Sequence, residues 1–385
     1  MQVLHVAAGF EVRQGGPPRV VASLTSGLSR AGVSSIVFAA EHVVDHGPLV
    51  EAPDASLRLF RTGGLARWWP GHSPDLKRAL QREARAADVV HIHEMWHYPH
   101  FAAARACKSL GVPFVVSPHG SLDPWALASK QLKKRVYSAI WQRRLLGRAA
   151  AAHALTGTEE SQLRAYGYSG PVSVIPNGID VDEFQRPVPP GLMDDRYPEL
   201  RGKKVILFLG RLHEKKGLDL LVRAFAGLHG TRLDTHLLIV GPDDGYETDV
   251  RRMIGEAGIE GSVTLTGPLD GDDRLAAMTR ADVYALPSYS EGFSVGVLEA
   301  LAAGIPVVIS TFCYFPEVET AGAGLVTEPD VEEVEAALST VIDNPELGDR
   351  MGKAGKNLVH TGYSWESVAS SFIELYGSVA ATASS

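Results

Sequence analysis

The sequence has little of what secreted or membrane-spanning proteins need. Two cysteines among 385 residues are too few for a disulfide framework or a four-cysteine zinc site, so we expect a protein of the reducing cytoplasm. No apolar run reaches the roughly 18 residues of a membrane span, and no basic stretch precedes the short apolar N-terminal run, so neither a span nor a signal peptide is predicted. The net charge of −8 argues against a nucleic-acid partner.

Charge is divided unevenly along the chain. Residues 1–170 contain 20 Lys and Arg against 12 Asp and Glu, whereas the remaining residues contain 17 against 33. With 45% apolar residues the chain can fill two cores, and its length predicts two domains of about 150–200 residues each. The basic half could face an anionic partner such as a phospholipid surface or a lipid diphosphate. Two surfaces that drifted apart in charge explain the split equally well.

Short β-branched runs alternate with stretches of helical periodicity throughout the chain. This alternation predicts an α/β protein with two doubly wound, Rossmann-like domains, each built on a parallel sheet. The proline-rich stretch 171–201 has little periodicity and marks the boundary, so we predict domains at 1–175 and 176–363. Residues 364–385 are predicted to form a helix that packs back towards the N-terminal domain.

The first candidate site is the segment 210–217, which reads Gly-Arg-Leu-His-Glu-Lys-Lys-Gly. It follows a predicted strand and opens a predicted helix, so Arg211 and Lys216 lie where backbone N–H groups and the helix dipole already favour an anion. An arginine binds phosphate oxygens in a bidentate manner, and a lysine adds a point charge. The segment therefore favours a phosphate site over the alternative, a solvated basic turn.

The second candidate site carries two glutamates. Glu291 is predicted in the loop after a strand and Glu299 inside the next helix, and carboxylates in such places suit sugar hydroxyls. Three backbone N–H groups at the start of that helix could cap a phosphate, those of Phe293, Ser294 and Val295. Ordinary surface glutamates are the alternative, which fits less well because the cationic segment is expected at the same sheet edge.

Two further motifs point to different chemistry. Gly292-x-Ser294-x-Gly296 matches the nucleophile elbow of serine hydrolases, but an elbow needs its serine directly after the strand, and the loop here is too long. The run from His93 to His97 reads H-E-x-x-H, which binds zinc when both histidines share one helix face. A strand before this run and Pro99 after it favour a loop, so we predict no metal site.

Three weaker signals complete the search. Gly15 and Gly16 follow the first predicted strand, where glycine lets backbone approach a diphosphate closely. His119 lies at the carboxyl end of another strand, where ligands of open α/β sheets bind. Residues 130–148 combine seven cations with aromatic residues in a helical pattern, which suits an anionic membrane surface, although a solvated helix explains the pattern equally well.

Taken together, these motifs resemble retaining glycosyltransferases of family 4, of the kind that build bacterial surface polysaccharides. The resemblance implies the GT-B fold, with a cleft between the two domains. It also implies roles for individual residues: Arg211 and Lys216 on the donor diphosphate, Glu299 on the ribose, Glu291 and His119 on the donor sugar, Gly16 against the phosphate, Gly210, Gly267 and Leu269 around the nucleotide. Ser294 stands where the family often has glycine.

The reaction implied by this resemblance is transfer of a sugar from a UDP- or GDP-linked donor, with retention, to a hydroxyl of a saccharide or a polyprenyl-diphosphate-linked saccharide. Arg211 and Lys216 would stabilise the leaving diphosphate without a metal, and no cofactor is expected. The acceptor is expected in the first domain, near His93, Trp96 and Asp123. We expect the enzyme in the cytoplasm, at the inner face of the plasma membrane.

Other functional classes stay open at this point. A nucleotide-sugar epimerase or a phosphorylase could share the two-domain architecture and needs no acceptor hydroxyl. A binding module would hold the donor without turning it over. A serine hydrolase with Ser294 as its nucleophile is the fourth possibility. Replacing Ser294 by alanine would then abolish hydrolysis and leave nucleotide binding intact.

Overall fold

The computed structural model describes residues 1–14, 16–41, 48–123 and 143–384. The chain divides into two compact units. The N-terminal unit contains Met1–Gly178 together with Trp365–Ser385, and the C-terminal unit contains Ile179–Ser364. The first division lies three residues after the boundary predicted at 175, because Pro176 to Gly178 pack with the N-terminal unit.

Within the described residues, seven parallel strands form the sheet of the N-terminal unit, in the order β3-β2-β1-β4-β5-β6-β7. Their bounds are β1 Gln2–Ala7, β2 Ser34–Glu41, β3 Ser56–Arg61, β4 Val89–His93, β5 Phe114–Ser117, β6 Ala151–Ala154 and β7 Val172–Val174. The central strands are buried on both faces, which is why they read as nearly continuous apolar runs in the sequence.

Helices cover this sheet. They are α1 Gly16–Arg30, α2 Pro74–Glu83, α3 Tyr98–Leu110, α4 Arg143–Leu146 and α5 Gly157–Tyr166. Capping explains several of their starts: the Ser73 hydroxyl accepts the Leu76 backbone N–H at α2, and Thr156 does the same for Glu159 at α5. The predicted membrane-facing helix at 130–148 lies mostly outside the described residues, which resume at Arg143.

Six parallel strands among the described residues form the sheet of the C-terminal unit, in the order β10-β9-β8-β11-β12-β13. They are β8 Lys204–Leu209, β9 Thr235–Val240, β10 Val263–Gly267, β11 Val283–Leu286, β12 Val307–Ser310 and β13 Gly324–Thr327. The helices of this unit are α6 Leu192–Arg196, α7 Leu218–Thr231, α8 Glu247–Ala257, α9 Gly271–Arg280, α10 Val295–Ala303, α11 Glu317–Thr320, α12 Val331–Asp343 and α13 Pro345–Gly362.

The last helix, α14 Trp365–Ser384, belongs to the N-terminal unit. Its Trp365, Phe372 and Tyr376 side chains are all buried in one apolar cluster. Gly27 on α1 lets this helix approach, since a Cβ at that position would lie 2.9 Å from the Trp365 carbonyl oxygen. Among the described helices, none is both long and apolar enough to cross a membrane.

Candidate active site

The strand order brings two loops together in the C-terminal unit. β8 pairs with β9 on one side and with β11 on the other, so the order of the sheet reverses beside β8. Open α/β sheets bind ligands at such a switch point, outside the carboxyl ends of the strands. The loop after β8 is the cationic segment 210–217, and the loop after β11 is 287–294, which carries Glu291. Two motifs separated by about 75 residues therefore lie side by side.

Lys216 and Glu291 form an ion pair at the centre of this site. The Lys216 Nζ lies 2.7 Å from Glu291 Oε1, and the two side chains are only 13% and 6% exposed. The Ser288 hydroxyl lies 2.8 Å from the same carboxylate oxygen. An ion pair buried to this degree is held in one geometry by its partners. A ligand at this site therefore meets a fixed cation and a fixed carboxylate.

Gly217 allows the two loops to come close. Its φ is +68°, and a Cβ at this position would lie 1.9 Å from the carbonyl oxygen of Pro287. A side chain here would therefore meet both backbone strain and a direct clash. The glycine at the end of the cationic segment keeps Lys216 within reach of Glu291.

Arg211 occupies a more open position than Lys216. Its guanidinium pairs with Asp244, and the two side chains are 56% and 41% exposed. An exposed pair contributes little to stability, since water and salt screen it. Arg211 is therefore available to exchange Asp244 for an incoming phosphate, whereas Lys216 is preset by Glu291.

Glu299 lies on α10, and an arginine that the sequence analysis missed holds its carboxylate. Arg274 on α9 contacts Glu299 with one guanidinium nitrogen and lies 2.6 Å from Glu183 Oε1 with the other. Arg274 and Glu299 are 20% and 13% exposed. The two carboxylates keep the guanidinium charged and raise its pKa, although burial opposes them as the largest single effect.

The start of α10 has the geometry of a helix cap. The Ser294 hydroxyl accepts the backbone N–H of Val297 at 3.4 Å and also hydrogen-bonds with Tyr284, whose ring is buried. Within the described part of the chain, Ser294 thus bonds to a backbone amide and a phenol, and to no histidine. The Phe293 ring packs on Phe315 and Tyr363 with centroids 5.6 and 6.3 Å apart, so only its backbone is free for a phosphate.

The remaining predicted donor residues of this unit lie along the same edge. Gly241 donates its N–H to the Gly267 carbonyl at 2.9 Å, and Gly267 has a φ of +72°. Gly210 closely approaches Gly241, where a Cβ would lie 1.9 Å from the Gly210 carbonyl oxygen. Leu269 is 9% exposed. Close backbone packing without reactive side chains is what a surface for a flat base requires.

The N-terminal unit has its own switch point, between β1 and β4. Histidines crowd the carboxyl ends of its strands: His5 on β1, His91 and His93 on β4, His119 after β5, and His153 on β6. The His119 Nε2 lies 3.1 Å from His93 Nδ1, and the other nitrogen of His93 lies 3.0 Å from His5 Nδ1. Burial lowers the pKa of His5 and His119 to about 3 and that of His153 to about 4, so all three are neutral near pH 7.

A buried carboxylate supports the loop that carries His119. Glu159 on α5 is 5% exposed and accepts the backbone N–H groups of Gly120 at 2.6 Å and Leu155 at 2.7 Å. Its pKa is raised because burial outweighs these two bonds. Glu94, which follows β4 at a φ of +69°, accepts the Ala8 N–H, and burial raises its pKa to about 7. Neither carboxylate was predicted as a site residue.

The residues predicted to contact an acceptor differ in how deeply they are buried. His93 is 1% exposed and both its nitrogens face other imidazoles, so we correct the prediction that it contacts an acceptor. Trp96 is partly buried and donates its indole N–H to the Ser121 carbonyl at 3.1 Å, and Asp123 is partly buried nearby. Gly16 is exposed at the start of α1. Gly15 lies outside the described residues.

The zinc motif at 93–97 is not helical. His93 ends β4, and Glu94 and Trp96 both have positive φ angles, so the two histidines do not share a helix face. Among the described residues, His5, His91 and His93 form the group close enough to hold a metal ion. Both nitrogens of His91 already have protein partners, however, namely Tyr376 at 2.7 Å and Ser117 at 2.6 Å. No carboxylate belongs to this group.

Two D-x-D triplets also occur, at 180–182 and 270–272, a spacing that can hold a divalent metal. In the structure Asp180 accepts the Asp182 backbone N–H at 3.1 Å, and Asp272 pairs with Arg186 at 3.4 Å. Asp180 thus bonds to the backbone, and Asp272 to an arginine. The expected metal independence therefore rests on the cations around the diphosphate site.

Sequence reasoning missed the residues that hold other site residues in place. Ser288, Arg274 and Glu159 hold Glu291, Glu299 and the His119 loop. Arg274 and Glu159 lie 25 and 39 residues from Glu299 and Gly120, whereas Ser288 lies only three residues from Glu291. A usable signal existed for the histidines, since His5, His91 and His93 interrupt otherwise apolar buried strands. A buried polar residue in a strand needs a hydrogen-bond partner, which predicts a network.

Comparison with known proteins identifies the family. The model named Glycosyltransferase Family 4 matches residues 14–183, and that named Glycosyl transferases group 1 matches residues 194–358. A phosphatidyl-myo-inositol mannosyltransferase from Mycobacterium leprae is 33% identical over 311 residues, which cover 77% of this chain and 75% of the relative. This chain belongs to glycosyltransferase family 4.

A second relative and a solved structure of similar fold extend the comparison. A GDP-mannose-dependent monoacylated alpha-(1-6)-phosphatidylinositol monomannoside mannosyltransferase from Corynebacterium glutamicum is 32% identical, covering 76% of this glycosyltransferase and 78% of the relative. The crystal structure of Anabaena HepE in complex with UDP and glucose superposes with a TM-score of 0.79 at 18% identity, covering 98% and 100% of the two chains. The predicted fold, two Rossmann-like parallel-sheet domains with GT-B neighbours, is confirmed, and the chain transfers a sugar from a nucleotide sugar.

Proposed function

We propose that this glycosyltransferase moves a hexose, mannose in the first instance, from a GDP-linked donor to a hydroxyl of a lipid-linked acceptor, with retention and without a metal. The observation that carries the proposal is the Lys216–Glu291 pair at the switch point between β8 and β11. It offers one cation for a diphosphate and one carboxylate for sugar hydroxyls within 2.7 Å of each other. The mannosyltransferase names of the relatives support mannose and a phosphoinositide-type acceptor.

The chemistry follows from where charge develops. When the glycosidic bond to the diphosphate breaks, negative charge grows on the phosphate oxygens. Lys216 is already fixed there, Arg211 can move from Asp244, and the backbone N–H groups at the start of α10 point outwards from a helix N-terminus. Preset donors of this kind stabilise the leaving group without reorganising. In a front-face reaction the leaving phosphate would take the proton of the attacking hydroxyl, so the sugar keeps its configuration.

Glu291 and Glu299 would fix the two ends of the donor. Glu291, held by Lys216 and Ser288, would accept hydrogen bonds from the sugar hydroxyls, and Glu299, held by Arg274, from the ribose hydroxyls. Both carboxylates keep an oriented oxygen because a positioned donor occupies the other side. Preorganisation of this sort lowers the entropy cost of binding a flexible donor.

The test uses purified enzyme with EDTA, vesicles that contain phosphatidylinositol, and labelled GDP-mannose, UDP-glucose or UDP-galactose in parallel. We expect labelled glycolipid from GDP-mannose, with an α-anomeric linkage by NMR. Transfer from a UDP-sugar and not from GDP-mannose would show that the donor nucleotide is UDP. An inverted linkage would overturn retention. Conversion of the nucleotide sugar without glycolipid would favour the epimerase or phosphorylase alternatives.

A binding measurement keeps the donor site separate from acceptor choice. A ligand at a hundred times its Kd stabilises the protein by about 2.7 kcal/mol, which is enough for a thermal-shift panel of GDP, UDP, ADP and dTDP. We expect a shift with GDP that is lost in Lys216→Ala. A protein that responds to none of the four would contradict the proposed donor class.

A further inference from the structure

Five histidines in the N-terminal unit form two separate hydrogen-bonded chains. The first chain runs from the Tyr376 hydroxyl on α14 through His91, Ser117 and His153 to the carbonyl of Ile175, with distances of 2.6–2.7 Å. The second runs from His5 through His93 to His119, at 3.0 and 3.1 Å. The His91 and His93 rings lie against each other with centroids 3.9 Å apart, so the two chains are adjacent.

The proton positions of the first chain follow from its end. A carbonyl can only accept, so His153 Nε2 carries the proton and its Nδ1 accepts from the Ser117 hydroxyl. Because the Ser117 hydroxyl donates its single hydrogen to His153, it must accept a hydrogen bond from His91 Nε2–H. His91 Nδ1 then accepts the Tyr376 hydroxyl hydrogen. Neutral His91 and His153 are both Nε2–H tautomers.

The second chain has a buried end at His5. His5 is fully buried, and its Nε2 has no hydrogen-bond partner. A buried N–H without a partner is rarer in proteins than a buried acceptor without one. The proton of His5 is therefore on Nδ1, where it donates to His93 Nε2. The proton of His93 then lies on Nδ1 and donates to His119 Nε2.

The proton position of His119 follows from that of His93. Its Nε2 accepts from His93, so the single proton of the neutral ring lies on Nδ1, the nitrogen that the chain does not use. His119 is partly exposed, whereas the other two imidazoles are not. Protonating any ring would place a charge against neighbouring imidazoles in a buried site, and burial and these neighbours lower the pKa of His91 and His93 far below the usual value.

We propose that His5 and His93 are positioning residues that hold His119 as the Nδ1–H tautomer, so that His119 offers the transferred sugar a hydrogen-bond donor and not an acceptor or a base. The part that concerns the sugar rests on the proposed function. The tautomers themselves depend only on the structure. His119 would thus bind a sugar oxygen through a neutral N–H, and proton transfer in the reaction would belong to other groups.

The direct test is long-range ¹H–¹⁵N NMR on the wild-type enzyme labelled in histidine, with each signal assigned by its loss in a His→Gln variant. We expect Nδ1–H tautomers at His5, His93 and His119 and Nε2–H tautomers at His91 and His153, unchanged between pH 6 and pH 8. An Nε2–H tautomer or an imidazolium at His119 would overturn the proposal. Stoichiometric zinc in the purified protein, with metal-shifted nitrogens at His5 or His93, would overturn it as well.

Kinetics test the positioning role. His5→Phe keeps a ring of similar size and removes the first donor of the chain, so His119 can populate both tautomers. We expect kcat/KM for sugar transfer to fall about tenfold, carried mainly by kcat. Tyr376→Phe is the matched control because it removes a buried donor from the other chain, and we expect kcat/KM within twofold of wild type.

The outcomes separate this inference from the proposed function. An unchanged kcat/KM in His5→Phe, or an equal fall in Tyr376→Phe, would overturn the positioning role. A wild-type enzyme that transfers no sugar from any donor would contradict the proposed function while the tautomer pattern is still read by NMR. The tautomer pattern is read on wild-type protein, and the His→Gln variants serve only to assign its signals.

Discussion

The candidate sites of the two units lie at the switch points of similar sheets, but one is built from charged side chains and the other from neutral ones. In the C-terminal unit the switch point carries ion pairs, Lys216 with Glu291 and Arg274 with Glu299. In the N-terminal unit the equivalent edge carries five histidines that burial keeps neutral. The difference teaches that the fold determines where a ligand binds. The residues at the strand ends then determine whether that place suits a charged or an uncharged part of the ligand.

Charge and neutrality suit different parts of one reaction. A leaving diphosphate gains negative charge, which a preset cation stabilises most strongly in a poorly hydrated site. A sugar stays uncharged, so a buried ion beside it loses hydration without gaining an opposite charge, unless the protein itself pairs that ion as Lys216 pairs Glu291. A neutral N–H donor avoids that cost. The predictions below test first the charged site, then the neutral one, and then the local geometry.

The largest effect is expected for Lys216→Ala. Removing the cation leaves Glu291 buried without its partner and takes away a donor aimed at the leaving phosphate, so kcat should fall by about 100- to 1,000-fold. The measurement is steady-state sugar transfer with the donor at saturation. Lys353→Ala is the matched control, since it removes one lysine from an exposed position on α13. A loss of less than fivefold in Lys216→Ala would show that the charged site is not where the diphosphate leaves.

The neutral site can be tested through Glu94. Its folded pKa of about 7 lies above the usual 4.5, so the folded state binds a proton more tightly than the unfolded state. The stability from this group is therefore complete below pH 4.5 and is lost as the pH rises to about 7. Glu94→Gln stays neutral throughout, so the wild type should lose up to about 3 kcal/mol relative to it between pH 4.5 and pH 8.

Urea unfolding of both proteins at several pH values measures this difference. Glu346→Gln, at an exposed glutamate on α13, controls for the loss of one acidic residue. Parallel stability curves for wild type and Glu94→Gln would mean that folding does not raise the pKa of Glu94. The contrast between a charged and a neutral edge would then fail.

How far the sequence predicted the fold depends on how local the signal was. The alternation of apolar runs and helical periodicity predicted both parallel sheets. Lys216 and Glu291 were predicted as neighbours because both follow strands of one parallel sheet. Their direct contact was not predicted, because it requires β8 and β11 to be neighbours and Gly217 to let the two loops approach.

The rest could not be predicted because its partners are remote. Arg274 meets Glu183 and Glu299 at separations of 91 and 25 residues, and Tyr376 meets His91 at a separation of 285. No local pattern encodes such pairs. His93 illustrates the error that follows: it was expected to contact an acceptor as a loop residue of a zinc-like motif, but the buried end of β4 turns it towards two other imidazoles.

A smaller effect is expected where the two loops of the charged site touch. Gly217→Ala puts a methyl group 1.9 Å from the Pro287 carbonyl and keeps a φ of +68°, so the loops must separate. We expect a loss of about 2 kcal/mol, which lowers Tm by roughly 4–8 °C. Gly261→Ala is the control because nothing lies within 4 Å of its Cβ position. Calorimetry that shows equal Tm values for both variants would contradict the close approach of the loops.

The smallest effect is expected for Ser294→Ala, and it separates a helix cap from a nucleophile. The Ser294 hydroxyl accepts the Val297 N–H, so its removal should cost about 1 kcal/mol of stability, or roughly 2–4 °C in Tm. Sugar transfer should continue, since the backbone N–H groups at the start of α10 do not depend on that hydroxyl. Hydrolysis of an activated ester by the wild type that disappears in this variant would restore the hydrolase alternative. Because Ser294 contacts an amide and a phenol and no base, we expect no such hydrolysis.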